Sequence, residues 1–181
     1  MQVDKNLQII NIENNEVPII HIKTNCKKSH LFGVQGIVTI VQSSKQELPL
    51  RTVINEQKEV ILDCYKSMTK PVILDRSEDE YLKLCQKYID HYTKKLDITP
   101  KKIRHNYIKT DHLGWAYINN TITYNMYMRY MTEEQIKLTI YHELCHIYTL
   151  QKFGTFEHNQ EFFDILYKEF TPEEEAKILQ N

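Results

Sequence analysis

Glycine and proline are scarce in this chain, at 4 and 5 of 181 residues. That excludes collagen-like repeats, glycine-rich linkers and broad low-complexity disorder, which need those residues in quantity. Four cysteines are present, Cys26, Cys64, Cys85 and Cys145, and no two form a C-x-x-C pair. Neither a zinc ribbon nor a dithiol redox motif is expected, and unpaired thiols suit a reducing, cytoplasmic setting. Charge of one sign is also missing: 23 basic and 24 acidic side chains leave a formal net charge of −1. Such a balance does not hold nucleic acid or an anionic membrane by net charge alone. No apolar run approaches the roughly 18 residues of a membrane span. The N-terminus lacks the basic-then-apolar order of a signal peptide. A cytoplasmic globular chain, long enough to bury a real core and with no membrane partner, is therefore expected.

The pattern along the chain divides it in two. Residues 1–75 read as a β-rich N-terminal region, in which VPIIHIK and GVQGIVTIVQ have the β-branched content of strands and PVILD is a third, shorter candidate. The stretch NEQKEVILDCYKSM fits two templates. Ile61, Cys64, Tyr65 and Met68 share one helical face, whereas Val60, Leu62 and Cys64 alternate as in a strand; the helical reading is preferred. His21, Cys26 and His30 read as ordinary strand and turn residues.

Residues 76–181 carry the stronger signals. Ser77 with Glu80 forms a capping box, and Tyr81, Cys85, Tyr88 and Tyr92 follow at helical spacing, predicting a helix of about 20 residues. KKIRHNYIK reads as a strand. GWAYI and TITYN flank Asn119-Asn120, a pair that tolerates left-handed backbone, so a hairpin is expected there. Thr132 with Gln135 opens a second capped helix, which runs to about Lys152 and stops at Gly154. A further helix is predicted over roughly 156–170. Thr171-Pro172-Glu173-Glu174 then starts a short terminal one.

The second capped helix contains HELCH, residues 142–146. Side chains four apart on a helix are neighbours, so His142 and His146 can aim their imidazoles at one atom. Glu143 is one step further round, close enough to hold a water without being a ligand. Two imidazoles and an adjacent carboxylate are what zinc hydrolysis needs: the metal acidifies a water and the carboxylate moves its proton. The rest of the helix is apolar at Ile136, Ile140, Leu144 and Ile147, so polar groups buried there require partners. Catalytic zinc takes three protein ligands as a rule. His158, beyond the turn at Gly154, is the best third; Glu157, Glu161, Asp164 and Glu169 are the competitors. Cys145 reads as a buried thiol.

This region resembles the SprT-like and YgjP-like zinc metallopeptidases. They share HExxH on a helix, a downstream histidine followed four residues later by Phe or Trp, and an upstream β-segment ending in an apolar-x-x-Asn pattern. Here these are HELCH, HNQEF (His158 to Phe162) and NTITYN ending in Asn125. Asn159 stands where a small residue often follows the third histidine, and the Trp-Gly pair of the YgjP-like pattern is Gly114-Trp115, in reverse order. The resemblance implies an α+β fold: a zincin-like catalytic domain with an active-site helix and a short sheet or hairpin, behind a β-rich N-terminal region. It implies zinc on His142, His146 and His158, with Glu143 as general base in a protease acting on protein or peptide. TITYN is expected to be the edge strand on which an extended substrate adds. Tyr148 and Tyr167 are candidate oxyanion donors.

SprT-like relatives include proteases of DNA-bound proteins, which draws attention to Lys94, Lys95, Lys101, Lys102, Arg104 and Lys109. That basic segment suits phosphate contact, or simply a solvated helix terminus. The leading expectation is a zinc-dependent endopeptidase. The alternative is a zinc-stabilised binding or regulatory module with little turnover, against which the intact Glu143 argues.

Overall fold

The computed structural model of the chain describes residues 7–25, 28–34, 36–45, 48–68, 74–108 and 112–180. They fall into two compact units that divide at about residue 71. Among the described residues no helix is long and apolar enough to cross a membrane.

The first unit is a four-stranded sheet with two helices. Strand β1 (Leu7–Ile12) pairs antiparallel with β2 (Asn15–Thr24) across a tight turn in which Glu13 and Asn14 take positive φ. β3 (His30–Val34) and β4 (Ile37–Ser43) form a second antiparallel pair, and β2 lies parallel to β4, giving the order β1-β2-β4-β3. The stretch read as one strand, GVQGIVTIVQ, is thus divided: Gly36, at φ 76°, lets the chain reverse where most side chains would clash. β1 was not anticipated, because its LQIINI sequence is short and its faces are unevenly exposed. Helices α1 (Leu50–Glu56) and α2 (Lys58–Ser67) supply Val53, Ile54, Ile61 and Leu62 to a core with Val17, Ile19, Val38 and Ile40. The helical reading of NEQKEVILDCYKSM is borne out over Lys58–Ser67, with Gln57 separating α1 from α2. His21 is a satisfied core histidine, its Nε2 2.8 Å from Gln42 Oε1. Cys26 and most of PVILD lie outside the described residues, and Leu74 and Asp75 are not in a strand.

The second unit is built on two capped helices. In α3 (Glu78–Leu96) and α4 (Glu133–Phe153) both predicted capping boxes are formed. Gly154, at φ 70°, ends α4 with its N–H on the Leu150 carbonyl. A three-stranded sheet accompanies them: β5 (Lys102–Asn106), β6 (Gly114–Tyr117) and β7 (Thr121–Asn125), in the order β5-β7-β6. β6 and β7 make the expected hairpin, with Asn120 at φ 65°, while β5 pairs parallel to β7. A 3-10 turn (Met126–Tyr130) leads into α4, and α5 (Gln160–Leu166) and α6 (Pro172–Gln180) complete the unit. α5 is shorter than the 156–170 read from sequence. Its N-cap is Asn159, whose side chain accepts from Phe162 N, so the preceding residues are left as a connecting segment. The core gathers Tyr81, Cys85 and Tyr92 of α3, Ile122 and Tyr124 of β7, and Ile136, Ile140 and Leu144 of α4. The expected α+β content is present: a unit that joins the HELCH helix to a short sheet, and a β-rich N-terminal region.

β7 is not the edge strand that TITYN was expected to be. It is paired on both sides and all five of its residues are buried. Ile122 alternates with Thr121 and Thr123, yet both threonines are buried as well. The edges are β5 and β6.

Candidate metal centre and active site

α4 presents His142 and His146 one turn apart, with ring centroids 5.1 Å from each other. The left-handed turn at Gly154 sends the chain back along the helix, and Asn159, tied to Thr155 Oγ1 at 3.0 Å, fixes the segment that carries His158. The ring of His158 then lies 5.0 Å from that of His142 and 4.6 Å from that of His146. His142 Nε2 and His158 Nε2 are 3.0 Å apart. One ligand atom from each of the three histidines falls within 4.8 Å of the others. A tetrahedral zinc site with bonds of about 2.0–2.1 Å spaces its nitrogens by about 3.4 Å, so this donor set fits one ion. Among the described residues no carboxylate joins the cluster. Glu169 binds Lys95 and Tyr92 OH instead, and Asp164 accepts from Gln160.

Burial, with the neighbouring imidazoles adding to it, lowers the pKa of His142 to about 3 and that of His146 to about 4. Both rings are therefore neutral at pH 7, which is the form that binds a metal.

Phe162 explains why an aromatic residue stands four positions after His158. It is fully buried, and its ring centroid lies 4.9, 4.5 and 4.6 Å from those of His142, His146 and His158. One ring thus backs all three imidazoles. Phe162→Ala is expected to cost about 3–5 kcal/mol of stability by leaving a cavity under the cluster, and to speed metal loss. Thermal unfolding and metal dissociation measured on the variant check this; an unchanged dissociation rate would show that the ring does not order the histidines.

Glu143 is held from the other side. Its Oε2 accepts a hydrogen bond from Ala116 N of β6 at 2.7 Å. Burial lifts its carboxyl pKa to about 7, with the Ala116 N–H pulling the other way. Gly114 makes room for it. A Cβ on Gly114 would lie 2.6 Å from Glu143 Cγ, 2.8 Å from Oε1 and 2.9 Å from Cδ. Sequence reading missed Gly114 as part of the site, because its φ is unexceptional and only the fold reveals the close approach.

Asn125, the end of the apolar-x-x-Asn pattern, is a fully buried clasp. Its Oδ1 accepts from Ile108 N and Tyr127 N at 3.3 and 3.2 Å, and its Nδ2 donates to the His112 carbonyl at 2.8 Å. It thereby sets the rim residue His112 beside β6. His112, Gly114, Trp115, Ala116 and Phe156 line a cleft of about 340 Å³ together with His142, Glu143, His146 and His158. Tyr148 and Tyr167, the candidate oxyanion donors, are not among the cleft-lining residues. Cys145 is buried away from the cleft, its thiol pKa pushed up by burial. Of the basic segment, Lys94, Lys101, Lys102 and Arg104 are exposed, Lys95 pairs with Glu169, and Lys109 lies outside the described residues.

The model of the YgjP-like metallopeptidase domain matches residues 4–178. Two crystal structures of metallopeptidase zymogens resemble part of the chain. Jannalysin of Methanocaldococcus jannaschii is 22% identical, with a TM-score of 0.44 over 52% of this chain and 88% of that one. Abylysin of Pyrococcus abyssi is 22% identical, with a TM-score of 0.45 over 52% and 87%. No curated protein matches the chain. A match over nearly the whole length, HExxH included, settles the membership: the chain belongs to the YgjP-like metallopeptidase family.

Proposed function

We propose that this metallopeptidase is a zinc-dependent endopeptidase whose catalytic domain is residues 76–181. In it His142, His146 and His158 are the zinc ligands and Glu143 is the general base. The observation that carries the reading is the position of Glu143, fixed to the backbone of β6 beside three converging imidazoles in an open cleft. Three imidazoles without a thiolate or a further carboxylate suit zinc with one open position. A zinc ion held by His142, His146 and His158 would supply a water of pKa lowered towards about 7 and a Lewis acid for the scissile carbonyl.

Glu143 accepts a proton from the attacking water as the C–O bond forms. It returns that proton to the amide nitrogen as the C–N bond breaks. A carboxyl with a pKa near neutrality suits both halves of this transfer. His112, on the cleft wall, is the candidate donor to the carbonyl oxygen as its charge develops.

β6 supplies the substrate's backbone partners. Antiparallel pairing alternates, and Leu113 O accepts from Asn125 N while Ala116 N turns to Glu143. Leu113, Trp115 and Tyr117 therefore direct their backbone groups at β7. Gly114 N–H and C=O and Ala116 C=O point outward, where an extended peptide can add as a further strand.

Among the described residues no Lys or Arg lines the cleft, and Glu143 is the one acid that does. Among these residues no cation is placed to hold a free carboxylate, and Glu143, engaged in proton transfer, is not available to hold a free amine, which favours cleavage within a chain. Hydrolysis of terminally blocked peptides by the zinc-loaded protein tests this. Cleavage that required a free terminus would make it an exopeptidase. Zinc binding with no cleavage of any peptide would leave a zinc-stabilised binding module.

A further inference from the structure

β6 has two unlike faces. Gly114 and Ala116 are small and turn towards Glu143, whereas Trp115 and Tyr117, the alternate residues, share the opposite face. Trp115 is 47% exposed, Tyr117 39%, and Ile118 at the hairpin tip 77%. The rings of Trp115 and Tyr117 stack at 6.3 Å with 23° between their planes, and His112 meets Trp115 edge-on at 5.1 Å. A scattered exposed apolar residue needs no explanation, but aromatic rings stacked along an open strand edge form a surface, and Trp115 also lines the metal cleft. The surface is therefore continuous with the place where a peptide bond would be cut.

We infer that Trp115 and Tyr117 are the specificity-determining platform of this enzyme, selecting extended peptides with large apolar or aromatic side chains at two positions two residues apart. The inference rests on the reading of β6 as the strand to which substrate adds. Side chains of a strand added beside β6 alternate between its faces, so every second one lies against the two rings. A charged side chain finds no counter-ion among the cleft-lining residues on this strand, whereas an apolar one removes exposed aromatic surface from water. The spacing is the distinctive part: Trp115 and Tyr117 are two apart, so the preferred positions of the peptide are also two apart.

Trp115 is the chain's single tryptophan, so its emission reports the platform alone. The zinc-loaded Glu143→Gln protein, which keeps a peptide uncut, is titrated with blocked peptides carrying phenylalanine or alanine at alternate positions. Peptides with two phenylalanines two residues apart are expected to shift the emission to the blue and to bind about tenfold more tightly than all-alanine ones. In the same background, with binding read by calorimetry because the first variant has no tryptophan, Trp115→Ala should erase the preference at one of those positions and Tyr117→Ala at the other. Equal binding of all peptides, or equal loss for every peptide in both variants, would overturn the inference. This readout does not depend on turnover. If peptides bind selectively but the wild-type protein cuts none, the platform stands and the catalytic reading falls.

Discussion

Glu143→Gln lowers kcat on a blocked peptide by about 10²- to 10⁴-fold while the metal content stays as in the wild type. The magnitude is that of removing a positioned general base. The substitution is chosen because it changes little else. A glutamine carbonyl oxygen can still accept from Ala116 N, so the tie to β6 at 2.7 Å has a replacement. The three imidazoles gain or lose no partner among the described residues. A neutral amide also avoids the penalty that burial places on the carboxylate, so the variant should be no less stable. A fall in kcat with intact fold and metal assigns the proton transfer to this side chain. Turnover equal to wild type would place the base elsewhere.

Gly114→Ala tests the same carboxylate from the strand. A Cβ there would stand under 3.0 Å from three atoms of the Glu143 side chain. Those atoms are the outer part of a flexible chain, so the fold gives way easily but the carboxylate does not keep its place. Gly114 does not have a positive φ, so alanine strains no backbone. The expected result is a protein that folds and binds metal, with kcat reduced by about 10²-fold, the scale of a misplacement near 1 Å. Steady-state kinetics and metal analysis check both halves. In the Glu143→Gln background the same change should cost little more, because the group it displaces no longer acts. An active, metal-loaded Gly114→Ala enzyme would show that β6 does not set the position of the base.

What sequence could and could not reveal divides along the range of the interactions. Ser77 with Glu80, Thr132 with Gln135, and the stop at Gly154 are local hydrogen-bonding patterns, and each stands where the sequence placed it. The hairpin at Asn119-Asn120 is local in the same sense. The spacing of His142, Glu143 and His146 follows from helix geometry alone. Sheet order is not local. β5 pairs with β7 across an intervening hairpin strand, so TITYN becomes central and β6 the edge, and no residue of TITYN records this. Gly36 was overlooked because strand-like β-branched residues continue on both of its sides. Gly114 and Phe162 matter through contacts with α4, which composition and periodicity do not encode. Asn159, seen in the sequence as a departure from the family pattern, acquires a reason in the fold: it caps α5 and steadies the segment that carries His158.

The central claim is that His142, His146 and His158 hold one zinc ion. Its most direct test is the metal content of untagged protein, purified without chelator and measured by mass spectrometry beside the three single alanine variants. The predicted result is about one zinc per wild-type chain, with weakened retention in His142→Ala, His146→Ala and His158→Ala alike. A wild-type protein that remains metal-free after zinc is added, or a His158→Ala variant that holds zinc as tightly as wild type, would contradict it.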